Sequence, residues 1–493
     1  MIFSAEEQNQ LGTLIFPSTT VVHWVAGQLR QNGLSIAQGI NWYTIWVVAF
    51  VCSGSVAYGY TALLLAYFEL ETRSNGTNLL SATNGLYYAG GTLGVLSLPT
   101  FADRYGRKWG ITVPALILVV SSALLGSSVH ISMFLVFRFL AGAGAFMILL
   151  AVPVYLSEVV PPKLRGALVD VHATAFNFGY MMAGWVGYGF YFWQSKHLVQ
   201  WRSPFFLQAL CPLILLLGLF WMPESPSTRL QILEELHSTL SDPEQTFALK
   251  EFYQIQKQVE TDLELPRSWI EIFRRPSYLK GFIIAAVVNA LTQCPGVLVI
   301  NAYGPTLYAA LGFPVEKQLI YAAAWVTLAT SMNFVVIFLV DHFPRPKYIF
   351  IGLALCSVCL ITEAAIIKDF VSSTNEAALR AGVAILFVFV VFYSILVDGT
   401  QFSYICEIFP NHLRVKGTSF AFFCGGVIDI IYLQCAPTAF NNIGRKYYLV
   451  FTITISLGAI LVWTCFTDTK GKPLEEIAAI FGDTDEVTVF EKS

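Results

Sequence analysis

The polar–apolar pattern of this chain runs in blocks rather than stripes. Apolar runs near 20 residues, the length a helix needs to cross a ~30 Å hydrocarbon layer, recur between short polar segments. Candidate spans fall at 43–66, 82–101, 110–129, 132–156, 167–192, 204–222, 280–299, 319–340, 348–367, 380–402, 417–437 and 447–466. Six spans precede a break at 224–279 and six follow it. Charges collect in that break. Glu234, Glu235, Lys250, Glu251, Lys257, Glu260 and Asp262 stand at helix-compatible spacing, which predicts short amphipathic helices lying on the membrane face. The expected organisation is a cytoplasmic N-terminal segment (1–40), a six-helix half (41–222), a cytoplasmic linker (223–279), a second six-helix half (280–467) and a cytoplasmic tail (468–493).

Composition gives the same class. Of the 493 residues, 56% are hydrophobic and 12% charged, against about 25% charged in soluble domains. A mean hydropathy of +0.62 over this length means helices apolar around their whole circumference, so lipid is their solvent. The predicted fold class is an all-α polytopic membrane protein. The net charge of −3 gives no reason to expect a nucleic-acid partner. All nine cysteines lie in apolar runs and read as small packing residues. Cys356 and Cys359 have metal-ligand spacing but no second Cys or His pair, so neither a metal nor a cofactor is expected. Residues 1–40 lack the basic start and short apolar block of a cleavable leader. The first span then serves as the insertion signal.

Loop charges set the orientation. One set of loops holds Arg104, Arg107, Lys108, Lys163, Arg165, Arg274, Arg275, Lys280, Arg345, Lys347, Arg414 and Lys416. The opposite set is poorer in Lys and Arg, so the rich side and both termini are predicted to be cytoplasmic. Asn75-Gly76-Thr77, a glycosylation sequon, falls in a loop predicted to be outside. An internal repeat is visible as well. Asp103-Arg104-Tyr105-Gly106-Arg107-Lys108 follows the second span, and Asp341…Arg345-Pro346-Lys347 follows the eighth. Glu158…Pro161…Arg165-Gly166 follows the fourth, and Glu407-Ile408-Phe409-Pro410…Arg414…Gly417 follows the tenth. These pairs correspond if a six-helix unit is duplicated.

Several motifs carry chemistry. Gly106 permits a tight turn between two helices, and Asp103 with its basic neighbours can bridge helix ends. Arg138-x-x-x-Gly142-x-Gly144 sits inside the fourth span. A lipid-exposed guanidinium costs several kcal/mol on most scales, so Arg138 either faces the bundle interior or snorkels to the boundary near His130 and Ser132. The two glycines allow close helix approach. These motifs, with Pro223-Glu224-Ser225-Pro226 and Asp468-Thr469-Lys470-Gly471, occur in order at the matching spans. The chain resembles the sugar porter family of the major facilitator superfamily, and most of all its fungal-type members, over roughly 41–480. That resemblance implies a single-chain carrier of twelve helices that alternates between outward-open and inward-open states. It also implies an ion-pair network at the cytoplasmic helix ends from Asp103, Arg104, Arg107, Glu158, Arg165, Glu224, Asp341, Arg345, Glu407 and Arg414. Each such pair is worth about 0–1 kcal/mol, which suits a latch that opens every cycle. Helix capping and positive-inside topology are the alternative explanation for any one of these residues.

The chain departs from the family in the pocket. Where the family has Gly-Tyr-Asp in the first span, this chain has Gly59-Tyr60-Thr61. In the family the Asp carries the coupling proton, so Thr61 points to uniport, or to coupling through another acid. Arg138 would lack its expected carboxylate. The fifth-span Gln aligns with Ala173 beside His172, and the seventh-span amide motif reads Thr292-Gln293-Cys294-Pro295-Gly296-Val297-Leu298. The tenth-span Trp aligns with Phe402. A sugar needs several polar partners, since each unpaired buried polar group costs about 1–3 kcal/mol.

The candidate substrate residues are Thr61, Asn177, Asn289, Thr292, Gln293, Asn301, Tyr303, Asp398, Gln401 and Phe402. The candidate proton-coupling residues are Asp398, Asp429 and Arg138. Asp170 and His172 lie near Arg165, where an interfacial position competes with a pocket role, and Asn333 is a further intramembrane polar residue. Tyr303-Gly304-Pro305 interrupts the seventh span and is expected to break the helix, as a gate or as a plain kink. A sugar, polyol or similarly sized neutral solute is the expected cargo, carried by a monomer in the plasma membrane. Rival readings are a carrier of a less hydroxylated metabolite and a non-transporting nutrient sensor. No nucleotide-binding Gly-x-x-x-x-Gly-Lys-Ser/Thr run is present, and no nucleophile–base pair suggests an enzyme.

Overall fold

A computed structural model describes residues 42–63, 76–159, 165–193, 199–222, 269, 274–310, 313–339, 343–370, 376–409, 413–444 and 446–468. The first half comprises α1 (Trp42–Leu63), α2 (Gly76–Tyr105), α3 (Arg107–Gly126), α4 (Ile131–Val159), α5 (Arg165–Tyr191) and a two-piece α6, with α6a at Val199–Gln208 and α6b at Leu210–Gly218. The second begins with α7a (Pro276–Gln293) and α7b (Val297–Ala310), then α8 (Val315–Leu339) and α9 (Arg345–Phe370). The tenth span runs as α10a (Glu376–Tyr393), a π-helical turn (Ser394–Asp398) and α10b (Gly399–Ile408). It is followed by α11 (Arg414–Ile443) and α12 (Lys446–Cys465). Among the described residues there is no strand.

Nine of these spans are long and apolar enough to cross a membrane among the described residues. α2 and α5 have the length, 30 and 27 residues, but carry Gly, Tyr and Asn along it. Their polar sides face the interior of the bundle. Asn84 and Thr92 of α2 and Asn177 of α5 are buried. The outer surface is the opposite. Ile453, Leu457 and Ile460 of α12 stand at least 60% exposed, a helical stripe with no counterpart in water-soluble domains. The chain is a multi-pass membrane protein.

The packing shows the duplication that the motifs foreshadow. α2 packs on α11 and α5 on α8. These two contacts exchange when each helix is replaced by the one six places on, and both join the halves. Within the halves, α1–α5 matches α7–α11, α2–α4 matches α8–α10, and α3–α6 matches α9–α12. Two similar six-helix units therefore meet along two symmetry-related seams.

Turns follow their glycines. Gly106 alone separates α2 from α3, at φ 94°, as its place in the motif predicts. The seventh span breaks elsewhere than expected. Pro305 lies inside α7b, and Tyr303 is helical with its hydroxyl donating to Leu433 O at 3.1 Å. The break falls at Cys294-Pro295-Gly296, where Gly296 takes φ 72°. Pro295 has no N–H to continue the ladder, and only glycine adopts this conformation without strain. A side chain there would also meet the Phe451 ring at 2.8 Å. The predicted linker helices, the sequon at Asn75 and nearly all of the N-terminal segment and tail lie outside the described residues.

Candidate functional site

The two seams leave a central cavity between the halves, the concave kind of space in which small-molecule sites form. Its wall is drawn from the middle of the spans. α1, α4 and α5 contribute Tyr58, Phe146, Leu149, Phe176, Asn177 and Tyr180. The second half contributes Asn289, Gln293, Asn301, Trp325, Tyr393, Asp398, Gln401, Phe402, Phe422 and Asp429, among others.

Asp398 is the hub. The π-helical turn Ser394–Asp398 rotates α10b relative to α10a, and such bulges recur at functional sites. Asp398 Oδ2 accepts from Asn177 Nδ2 at 3.0 Å and Asn333 Nδ2 at 3.1 Å, and Oδ1 accepts from Gln401 Nε2 at 3.1 Å. Gln401 Oε1 in turn accepts from Thr292 Oγ1 at 2.5 Å, and Tyr393 OH donates to Thr292 O at 3.1 Å. The chain of bonds joins α5, α7a, α8 and α10. Its Asn177–Asp398 link crosses between the halves, beside a second crossing bond from Thr330 Oγ1 to Asn177 O at 2.9 Å. Amide donors rather than a cation compensate this carboxylate.

Asp429, on α11, is 6% exposed and lines the same cavity. Its carboxylate makes no hydrogen bond or ion pair with a described residue. Asn289 donates to Ala421 O at 2.9 Å, which leaves its Oδ1 without a partner among the described residues. Phe402 meets Phe176 across the halves at 5.5 Å and Phe422 at 5.7 Å, which makes an aromatic floor.

Of the candidate substrate residues, Asn177, Asn289, Gln293, Asn301, Asp398, Gln401 and Phe402 converge on this cavity. Thr292 stands one hydrogen bond behind it. Thr61 and Tyr303 do not line it. Thr61 Oγ1 donates to Ala57 O at 2.7 Å, a bond within its own helix. Arg138 is fully buried, which excludes the snorkelling position. Its Nη1 donates to the Thr61 carbonyl at 3.1 Å, and its guanidinium sits 4.7 Å from the centre of the Tyr87 ring. Its Nε and Nη2 have no partner among the described residues. A carbonyl and a π face stand where a carboxylate is expected. Gly142, four residues on, approaches so closely that a Cβ would fall 1.9 Å from Tyr87 O, as the motif's spacing suggests.

His172 corrects its interfacial reading. It is fully buried, with Nδ1 2.6 Å from Ser55 Oγ, and its ring stands 5.4 Å from Phe402. Of the expected ion-pair network, one pair is described: Arg345 Nη2 to Glu407 Oε1 at 3.3 Å. It joins α9 to α10b within one half, so it braces that half rather than latching the two. Arg107 Nη1 donates to Ala102 O at 3.2 Å, Arg104 lies over Tyr105, and Arg414 is buried. The side chains of Asp103, Glu158, Arg165, Glu224, Asp341 and Asp170 lie outside the described residues.

Sequence reasoning missed Tyr58, Phe146, Phe176, Tyr180, Trp325, Tyr393 and Phe422. It also missed Glu363, a buried carboxylate on α9 whose Oε2 has no partner among the described residues. A rule for charges inside apolar runs finds Glu363. No comparable rule finds the aromatics.

A twelve-span bundle of two matched halves around a polar, aromatic-walled cavity defines a carrier of small solutes. The comparisons agree. The family model "Sugar (and other) transporter" matches residues 50–481, and the chain belongs to that family of membrane transporters; it is not an enzyme. It is 27% identical to the MFS-type transporter criB of Aspergillus cristatus, over 80% of this chain and 83% of that protein. It is 26% identical to the high-affinity glucose transporter of Kluyveromyces lactis, over 90% and 86%, and 26% identical to the quinate permease of Emericella nidulans, over 90% and 89%. Among solved structures, the proton:xylose symporter XylE bound to 6-bromo-6-deoxy-D-glucose superposes with a TM-score of 0.76, at 19% identity, over 89% of this chain and 99% of that one. At that identity the likeness speaks for the fold.

Proposed function

We propose that the protein carries a sugar, polyol or similarly sized solute through the central cavity by alternating access. The supporting observation is the Asn177–Asp398 bond at 3.0 Å, set in a wall to which both halves contribute mid-span residues. A site that straddles the seam is exposed to each side in turn as the halves rock. Asn289, Gln293, Asn301 and Gln401 supply amides for hydroxyl groups, and the aromatic faces take the apolar side of a ring. The relatives named for glucose and quinate fit a hydroxylated cargo, and their names as transporter and permease fit uptake at the plasma membrane. A single chain supplies the whole described wall, so a monomer suffices.

The mode is uniport. Arg138 donates to the Thr61 carbonyl at 3.1 Å where a proton-carrying carboxylate would otherwise sit. Flux into proteoliposomes, with and without an inward proton gradient, tests this. Wild-type flux is expected to be indifferent to the gradient, and Thr61→Asp to make it gradient-dependent. A second reading, proton coupling through Asp398 or Asp429, is favoured by the Asp429 carboxylate, which bonds no described residue. Gradient-driven wild-type flux that Asp429→Asn or Asp398→Asn abolishes would establish it and end the uniport reading.

A further inference from the structure

We infer that the central cavity is charge-selective: among solutes of one shape it prefers an ammonium-bearing one, such as an amino sugar or amino polyol, and rejects a carboxylate-bearing one. The inference rests on the carrier reading above and goes beyond it to substrate class. Three independent features of the wall point the same way.

The first is the balance of charge. Asp398 and Asp429 both line the cavity, and among the described lining residues there is no Lys, Arg or His. The nearby bases are turned elsewhere. Arg138, which donates to the Thr61 carbonyl and lies over the Tyr87 ring, and His172, bonded to Ser55, both stand outside the lining. A carboxylate entering this space would meet two acidic side chains and, among the described lining residues, no cation. Burying a charge without a partner carries a large penalty.

The second is the unmet hydrogen-bond demand. Asn289 Oδ1 has no partner among the described residues, in a side chain 2% exposed. The Asp429 carboxylate bonds no described residue, at 6% exposure. Both are acceptors. An ammonium is a donor in every direction and has no acceptor to offer, so it meets this demand where a carboxylate cannot.

The third is the aromatic wall. Tyr58, Phe176, Tyr180, Trp325, Phe402 and Phe422 line the cavity. Ring faces are negative, and cages of such rings bind ammonium groups. Asp398 differs from Asp429 in holding three amide donors. It orients the network, while Asp429 is the group left to meet the cation. Gln293 and Asn301, in the same wall, remain for hydroxyls.

The test uses the purified full-length chain in detergent and titration calorimetry with three isosteric probes: glucosamine, glucose and glucuronate, at mildly acidic pH where the amine is protonated. Glucosamine is expected to bind about tenfold or more tighter than glucose, and glucuronate to give no heat. In Asp429→Asn, judged intact by its size-exclusion profile, the glucosamine-to-glucose ratio is expected to fall about tenfold. Equal affinities, or glucuronate binding tightest, would overturn charge selection and leave the carrier of hydroxylated solutes standing. If none of the three binds, the sugar or polyol reading fails instead. A smaller pair of opposite charge then decides the selectivity: choline heat that Asp429→Asn removes, with none from isobutyrate, supports it, and no choline heat ends it.

Discussion

The two halves share a fold but not a role at the cavity. The first half offers a mostly apolar wall of Tyr58, Phe146, Leu149, Phe176 and Tyr180, with Asn177 its sole amide among the described lining residues. The second half offers both acids and the remaining amides. The helices pair alike in each half, so the two halves share a scaffold while the polar pocket chemistry is concentrated on one side. The first half has kept one ionisable group of the motif set deep in its core, Arg138, and has tied it to a backbone carbonyl. Recognition by specific hydrogen bonds thus lies with α7, α10 and α11. The half built on α1 to α6 provides shape and the Asn177 contact through which the two communicate.

Substitutions can sharpen this contrast. The largest effect is expected from Asp398→Ala, which strips the acceptor from Asn177, Asn333 and Gln401 at once. Each orphaned donor costs about 1–3 kcal/mol, and flux of the transported solute should fall well over ~10-fold, since ~1.4 kcal/mol already suffices for that. Retained flux would mean that the hub is structural ornament and the site lies elsewhere. Next comes Gly296→Ala in the α7 break. Its φ of 72° and the nearby Phe451 ring are expected to cost about 1–3 kcal/mol, read as a lower melting temperature of the purified protein. An unchanged melting temperature would mean that the break can relax. In the first half, Asn177→Ala removes one donor to Asp398 and should cost about 1–2 kcal/mol, weaker in flux than Asp398→Ala. An equal or greater loss would reverse the assignment of chemistry to the second half. Smallest is Arg345→Ala. Its pair with Glu407 spans 3.3 Å, with the Arg345 side chain 4% and the Glu407 side chain 26% exposed, and solvent at the Glu407 end holds the expected cost to about 1 kcal/mol, read as a slightly lower melting temperature.

Much of the scaffold is legible in the order of residues, because lipid demands long apolar runs and internal hydrogen bonding. The same rule exposes Asn177, Asn289, Asp398, Gln401 and Asp429, since a polar group inside an apolar run must have a partner or a purpose. The aromatic wall escapes it. Phe176 lines the cavity while Phe178, two residues on, is 41% exposed on the outer surface. Both rings are apolar, and lipid and cavity accept them equally. The π-helical turn at Ser394-Ile395-Leu396-Val397-Asp398 is similarly hidden, because its extra residue is set by tertiary packing and its sequence suits an α-helix as well. Two Pro–Gly sites compete in the seventh span. Tyr303-Gly304-Pro305 is absorbed into α7b, whereas Pro295-Gly296 breaks the helix. The difference lies in the positive φ that Gly296 takes against Phe451, a contact between α7 and α12 that no local pattern announces.

The account depends on solute passing through the space between the halves. Ala329 of α8 lies in that wall, 5% exposed, and Ala329→Trp would fill it. Val120 of α3 is 56% exposed on the outer surface, and Val120→Trp serves as the control. Counterflow in proteoliposomes is predicted to vanish in Ala329→Trp and to persist in Val120→Trp, with both variants eluting as the wild type does. Undiminished counterflow through Ala329→Trp would contradict the central claim.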